Sequence, residues 1–285
     1  MNYRHAYHAG NFADVLKHAL LVRLMRALQR KERGFVFVDT HAGRGTYDLS
    51  AASEGDTRER VPEWPEGIGR LWDRTDVPPE VADYLDVIRA YDKYRGNTFR
   101  VPRFYPGSPR IARLVSRPQD RMDLWEKHPS EYAFLKDEFV GERRVGLHEA
   151  DGYGALRASL PPLERRALVL MDPPFESASE WSELSTTFAE GLSRLPGATI
   201  AIWYPLTERA RADGFVNLLE SVKVPSLAMD LIVDPEAQRM KGCGVIVANP
   251  PWKFEGEART IVSYLATVLC RGQIAQGSVR WVVPE

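Results

Sequence analysis

Cysteine is nearly missing from this chain: Cys243 and Cys270 are its only two in 285 residues. Neither sits at a metal-ligand spacing, which argues against a zinc ribbon or a disulfide framework, and a reducing, cytoplasmic setting is expected. Long apolar runs are missing too. None approaches the roughly 18 residues of a membrane span, and the opening MNYRHAYHAGN lacks the apolar core of a signal peptide. There is no basic surplus. Lys and Arg number 38 against 39 Asp and Glu, a net charge of −1, which argues against binding nucleic acid by bulk charge. Internal repeats and low-complexity tracts are absent. Three early histidines, His5, His8 and His18, lack the tight pairing of zinc sites, so no metal is expected. What remains is 44% hydrophobic and 27% charged residues, the make-up of one large α/β domain or two small ones.

The apolar pattern changes period along the chain. Residues 12–31 are apolar at Phe12, Val15, Leu16, Ala19, Leu20 and Met25, which predicts a helix with a polar opposite face and Asn11 as its N-cap. GFVFVDT (34–40) reads as a buried strand. From Thr46 to Tyr105 the rhythm breaks into a proline-bearing loop and one helix near 79–95, an expected helical insertion over residues 46–105 within a single domain spanning 1–285. Ser108 is expected to cap a helix running to Val115. Strands are then predicted at 122–127, within RRVGLHEADG, and at 165–172, 199–206, 227–233 and 243–249. Helices are predicted at 131–139, at 179–195, from 207 to about Val222 and at 257–270, and a short VRWVVPE tail ends the chain. Strands alternating with helices imply a doubly wound, mostly parallel sheet of seven strands, its last close pair antiparallel. Two basic clusters, Arg23 to Arg33 and Arg110 to Arg117, read either as solvated helix faces or as nucleic-acid contacts.

In such sheets ligands bind beyond the carboxyl ends of the strands. After the first strand come Asp39, Thr40, His41, Ala42, Gly43, Arg44 and Gly45, whose glycines let a ligand approach the backbone. The spacing is not G-x-G-x-x-G, which disfavours a dinucleotide-binding dehydrogenase. After the second comes Glu126, suited to a ribose diol. After the third come Asp151 and Gly152, suited to an adenine edge. After the fourth comes Asp172-Pro173-Pro174-Phe175. Taken singly, the glycines could make a tight turn and the acids could cap helices. Four strand ends in this order are hard to reach by coincidence.

That order resembles the class I S-adenosylmethionine-dependent methyltransferases, and DPPF resembles the signature of those acting on adenine N6. The segments YRHAYHAGNFADVLKH, DTHAGRGTY, YPGSP, ADG, DPPF, WYP and WVVPE together resemble the RlmJ family of 23S ribosomal RNA adenine-N6 methyltransferases. The resemblance implies S-adenosylmethionine as cofactor, S-adenosylhomocysteine as product and 23S ribosomal RNA as partner. It implies that His18, His41, Ser108, Glu126, Asp151 and Gly152 contact the cofactor, joined by Gly43 and Asp172. It implies catalysis at Asp172, with Tyr3 beside the substrate base. Phe175 departs from the commoner tyrosine, keeping the ring and losing the hydroxyl, and Arg44 stands where a smaller residue is usual.

The chemistry of the tetrapeptide follows from its residue types. Asp172 and the Pro173 carbonyl are hydrogen-bond acceptors, proline adds no N–H donor, and the Phe175 ring can stack a splayed base. Tyr3, Arg4 and His5 read as a lip facing RNA. A monomer is expected. The alternatives are a DNA adenine-N6 methyltransferase, disfavoured for want of a separate target-recognition domain, and a non-enzymatic RNA-binding or assembly protein on the same fold. A second tetrapeptide, Asn249-Pro250-Pro251-Trp252, follows the last predicted strand. It reads as a structural strand end with Trp252 packed against the fold, where Asn249→Ala would harm neither fold nor turnover.

Overall fold

The computed structural model describes residues 7–50, 61–177, 179–206, 223–237, 240–271 and 276–285. Tyr3, Arg4, His5 and the helix expected from 207 to about Val222 lie outside these residues.

Helix α1 (Phe12–Gln29) begins as expected: the Asn11 side chain accepts from the amides of Ala13 and Asp14 at 2.9 and 3.0 Å. Its polar side is not solvated. Asp14, Lys17 and His18 are buried along with Leu16 and Leu20: Lys17 reaches Asp14 and Asp172, and His18 bonds Tyr105. Strand β1 (Val36–Asp39) leads through the glycine loop into β2 (Thr46–Asp48), which pairs antiparallel with β3 (Phe104–Pro106). Between these two lie, among the described residues, two short 3-10 turns and α2 (Pro79–Tyr94). Val81, Leu85 and Ile88 of α2 enter the same core as α1. Then follow α3 (Ser108–Val115), β4 (Arg121–Glu126), α4 (Pro129–Glu138), β5 (Val145–Glu149), α5 (Ala155–Ser159), β6 (Ala167–Met171), α6 (Glu180–Arg194) and β7 (Thr199–Leu206). The chain ends with β8 (Ser226–Ile232), β9 (Gly242–Ala248), α7 (Phe254–Leu269) and β10 (Gln276–Val283).

The doubly wound α/β sheet has eight strands rather than seven, in the order β10-β8-β9-β7-β6-β1-β4-β5. The extra one includes the VRWVVPE tail, which pairs antiparallel with β8, so that β10 rather than β8 is the edge strand there. Alternate residues serve alternate faces: Phe37 joins the core beneath α1, while Val36 and Val38 join the core beneath α6. Ser108 does not cap its helix. Gly107 holds the cap position, Ser108 is the first helical residue, and its hydroxyl donates to Asp39.

Strand direction separates the two proline tetrapeptides. β6 is parallel to β1 and ends with Asp172 at the carboxyl edge of the parallel strands. β9 is antiparallel to both neighbours, so Ala248 lies beside Ile200 and Ser226, at the starts of β7 and β8. Asn249 therefore sits on the opposite edge of the sheet. Its amide donates to the carbonyls of Pro196 and Ala198 at 2.8 and 2.9 Å, and Thr199 donates back to its carbonyl at 3.0 Å. Trp252 is 69% exposed, not packed, with Lys253 over its ring.

Most arginines of the basic clusters are internal cross-links, whereas Lys31 and Arg33 are exposed with no ion pair among the described residues. Arg23 bridges Asp83 of α2 and Glu257 of α7 at 2.7 and 2.9 Å. Arg110 and Arg113 hold Glu138 and Glu142, and Arg117 pairs with Asp120 while donating to the carbonyls of Gln29 and Lys31 beyond α1. They fasten helices together rather than wait for a partner.

Asn249 also adopts φ +48°, a left-handed conformation that asparagine tolerates and alanine resists. Against the expectation from sequence, Asn249→Ala is predicted to lower stability by about 1–3 kcal/mol, through two lost hydrogen bonds and this strain. Urea unfolding checks it; an unchanged midpoint would refute it.

Candidate active site

A cavity of about 580 Å³ opens where β1, β4, β6 and β7 end, closed on one side by the start of α1. Its size falls within the range usual for small-molecule sites. The strand-end rule therefore brings together the residues it selected: His18, His41, Gly43, Ser108, Glu126, Asp151, Gly152, Asp172, Pro173 and Phe175 all line this cavity.

The loop after β1 turns through Gly43 at φ +60°. The Gly43 amide donates to Glu126 at 2.8 Å, and the His128 amide donates to the other Glu126 oxygen at 2.7 Å. Burial raises the Glu126 pKa, and these two amides hold it down against that. The carboxylate is thus aimed into the cavity with lone pairs to spare. Gly152 meets the first loop so closely that a Cβ there would lie 1.8 Å from the Thr40 carbonyl oxygen; glycine is required for the two loops to touch. Asp151 accepts the Tyr153 amide at 3.1 Å on one oxygen and Lys127 at 2.7 Å on the other.

His41 bonds Thr40 at 2.7 Å and lies edge-on to Tyr153. Burial pushes its pKa down to about 4, so the ring is neutral near neutral pH. His18 is 1% exposed and bonds the Tyr105 hydroxyl at 2.8 Å, which in turn meets Tyr84. Asp39, at the end of the central strand, is fully buried. Burial drives its pKa up to about 7, although Ser108 at 2.6 Å pulls the other way.

Sequence reasoning missed the partner of Asp172. Lys17 donates to Asp172 at 2.5 Å and to Asp14 at 2.9 Å, and Asp14 also accepts the Gly10 amide at 2.9 Å. Burial would lower the Lys17 pKa, but the two carboxylates outweigh it and hold the pKa well above its ordinary value. Asp14 and Lys17 stand three apart on one side of the helix, a spacing that lets them pair. Two tryptophans were missed as well. The Phe175 ring lies 4.7 Å from that of Trp181 and 5.9 Å from that of Trp203. Trp203 belongs to WYP, at the end of β7, where the strand-end rule applies unchanged. Arg44 forms a two-pronged pair with Glu131 at 2.8 and 2.6 Å and covers the Phe134 ring. Its length clamps the glycine loop to α4.

Seven carboxylates but only two lysines line the cavity among the described residues. Such a site favours a ligand with a positive centre and disfavours phosphate. No helix of the described residues is long and apolar enough to cross a membrane.

Asp39 gives a pH test. A carboxyl whose folded pKa is raised above its unfolded value stabilises the fold at low pH and loses that contribution as pH rises to the folded value. The window runs from about 4 to about 7. Asp39→Asn keeps an acceptor for Ser108 and cannot ionise. It is predicted to gain stability over wild type between pH 5 and pH 8 in urea unfolding; equal pH profiles would contradict the assignment.

The chain is similar along its whole length to known proteins. The family model described as ribosomal RNA large subunit methyltransferase D, RlmJ, matches residues 32–283. The chain is 38% identical to ribosomal RNA large subunit methyltransferase J of Escherichia coli, over 100% of both chains, and 38% identical to the protein of that name from Haemophilus influenzae, again over 100% of both. A Legionella pneumophila protein of known crystal structure superposes with a TM-score of 0.85 at 33% identity, over 96% of this chain and 97% of that one. On these grounds the chain belongs to the RlmJ family.

Proposed function

We propose that this protein transfers a methyl group from S-adenosylmethionine to N6 of an adenine in 23S ribosomal RNA. The observation that carries the reading is the meeting of Glu126, Asp151 and Asp172-Pro173-Pro174-Phe175 around one acidic cavity, in a chain 38% identical to two ribosomal RNA large subunit methyltransferases.

The residues fit the cofactor. The Glu126 carboxylate, held open by two backbone amides, suits the two hydroxyls of a ribose. Asp151 presents an acceptor for an exocyclic amine and Gly152 keeps the wall flat beside it. The excess of carboxylates suits a sulfonium centre. When bound, the cofactor supplies an electrophilic methyl; everything else is done by the chain.

The adenine amine is a weak nucleophile because its lone pair is conjugated with the ring. Acceptors aimed at the N6 hydrogens turn that lone pair out of conjugation. Lys17 holds one oxygen of Asp172, while Oδ1 has no hydrogen-bond partner among the described residues. That oxygen and the Pro173 carbonyl are the acceptors, and neither proline offers a competing donor. Phe175, backed by Trp181 and Trp203, supplies the flat wall against which a base is placed. The gain is chiefly one of position, a methyl and an amine held at near-attack distance. Tyr3, Arg4 and His5, which lie outside the described residues, are taken as substrate contacts, and residues 46–105 as an inserted subdomain.

Wild type incubated with labelled S-adenosylmethionine should label unmodified 23S ribosomal RNA and not duplex DNA; label in DNA alone would refute the reading. Glu126→Ala should weaken cofactor binding in calorimetry by about 1.5–3 kcal/mol, roughly tenfold to 150-fold. Unaltered affinity would remove Glu126 from the site. Asp172→Ala should slow methyl transfer by about 10²- to 10⁴-fold while circular dichroism shows the fold kept. Full turnover would move the chemistry elsewhere.

A further inference from the structure

The acidic cavity poses a problem for an RNA substrate. It can admit a base, but its carboxylates repel the phosphates on either side. The strand must be held by another surface, and the long-range cross-links described above use up most of the arginines that the sequence suggested for the task.

One stretch differs. Residues 93–104, KYRGNTFRVPRF, carry four basic residues and no acidic one. The loop is built rather than loose. Buried Asp92 accepts the Asn97 amide at 2.6 Å and the backbone amides of Arg103 and Phe104 at 3.1 and 2.7 Å. Asn97 closes the turn onto Phe99 and Val101 at 2.9 and 2.8 Å. This scaffold leaves Tyr94 82% exposed and Phe99 65% exposed. Lys93 and Arg100 are exposed and have no ion-pair partner among the described residues. Arg95 and Arg103 lie 5.1 and 5.0 Å from the centre of the Phe104 ring. Exposed rings interleaved with cations are what single-stranded RNA selects, since bases stack on rings and phosphates pair with the charges. The position also fits. β3 leads from this loop to Gly107, which lines the cavity, a separation along the chain of about 10 Å from Phe104 at roughly 3.3 Å per residue.

We propose that the loop at residues 93–104 is an RNA-docking platform that holds the strand flanking the target adenine, with Lys93 and Arg100 on phosphates and Tyr94 and Phe99 stacked on bases. The proposal rests on the reading of the cavity as an RNA methyltransferase site. It places affinity for RNA outside the cavity, so the two are separable by experiment.

Two double variants test it, Lys93→Glu/Arg100→Glu and Tyr94→Ala/Phe99→Ala, with methylation of an unmodified 23S ribosomal RNA transcript measured at several salt concentrations. The charge variant should raise KM tenfold or more and flatten the salt dependence by about two phosphate contacts. The ring variant should raise KM by about fivefold to 150-fold. Melting temperature and affinity for S-adenosylmethionine should not move in either. A wild type that methylates RNA, with both variants matching its KM and salt slope, overturns the platform and leaves the enzyme reading standing. Loss in the charge variant alone overturns the stacking role. A wild type that labels no RNA overturns the underlying reading instead.

Discussion

A buried lysine sets the terms for this structure. Moving an isolated ammonium out of water costs several kcal/mol even after relaxation, and Lys17 is only 6% exposed. It is tolerated because Asp14 and Asp172 both reach it. Asp172 comes from the end of β6, on the far side of the sequence, so the ion pair fixes the first helix against the loop that carries the proline tetrapeptide. The same contact closes one wall of the cavity and orients the carboxylate at its floor. Fold and site are therefore not separate achievements here. The α1 stripe that looks polar in sequence is the surface on which the site is assembled.

Charge elsewhere follows a division of labour. Around the cavity carboxylates prevail, with burial pushing Asp39 and Glu126 up and two backbone amides restraining Glu126. Along the helices, arginines are spent on neighbours: Arg23 and Arg30 on α7, Arg117 and Arg166 on the carbonyls that end α1. The near-zero net charge is thus a sum over regions of opposite sign. That is why the total charge was a poor guide to partners, and why Lys93 and Arg100, in an acid-free run whose Arg95 and Arg103 pair with Glu138 and Asp48, stand out once the internal pairs are removed.

Much of the ligand edge was legible in the sequence. Reading the residue after each parallel strand selected Asp39, Glu126, Asp151 and Asp172, and all four stand at the carboxyl edge of the sheet. The rule works because strand direction fixes which end faces the ligand. It failed to register Trp203 only because WYP was read as a strand rather than a strand end. Lys17 and Asp14 were hidden for another reason. Helical periodicity reports which residues are apolar, and a charged pair buried against a third charge breaks that pattern without leaving a mark of its own. Ser108 misled in the opposite direction, since a serine before a helical run usually caps the helix, whereas here a buried aspartate claims its hydroxyl. The tail was missed because seven residues beyond a helix carry no sign of which edge they will meet.

The strand order has a consequence for how the chain comes off the ribosome. β8 is synthesised before β9, yet β9 lies between β7 and β8 in the finished sheet. Until β9 arrives, β8 has no native partner and β7 has an open flank. Both β7 and β8 run antiparallel to β9, so they run parallel to each other, and a nascent chain could join them directly in a wrong pairing that must open again. β10, made later than both, pairs with the other side of β8. β8 is thus made before β9, the strand that lies inside it, and this half of the sheet cannot close until β9 has been made.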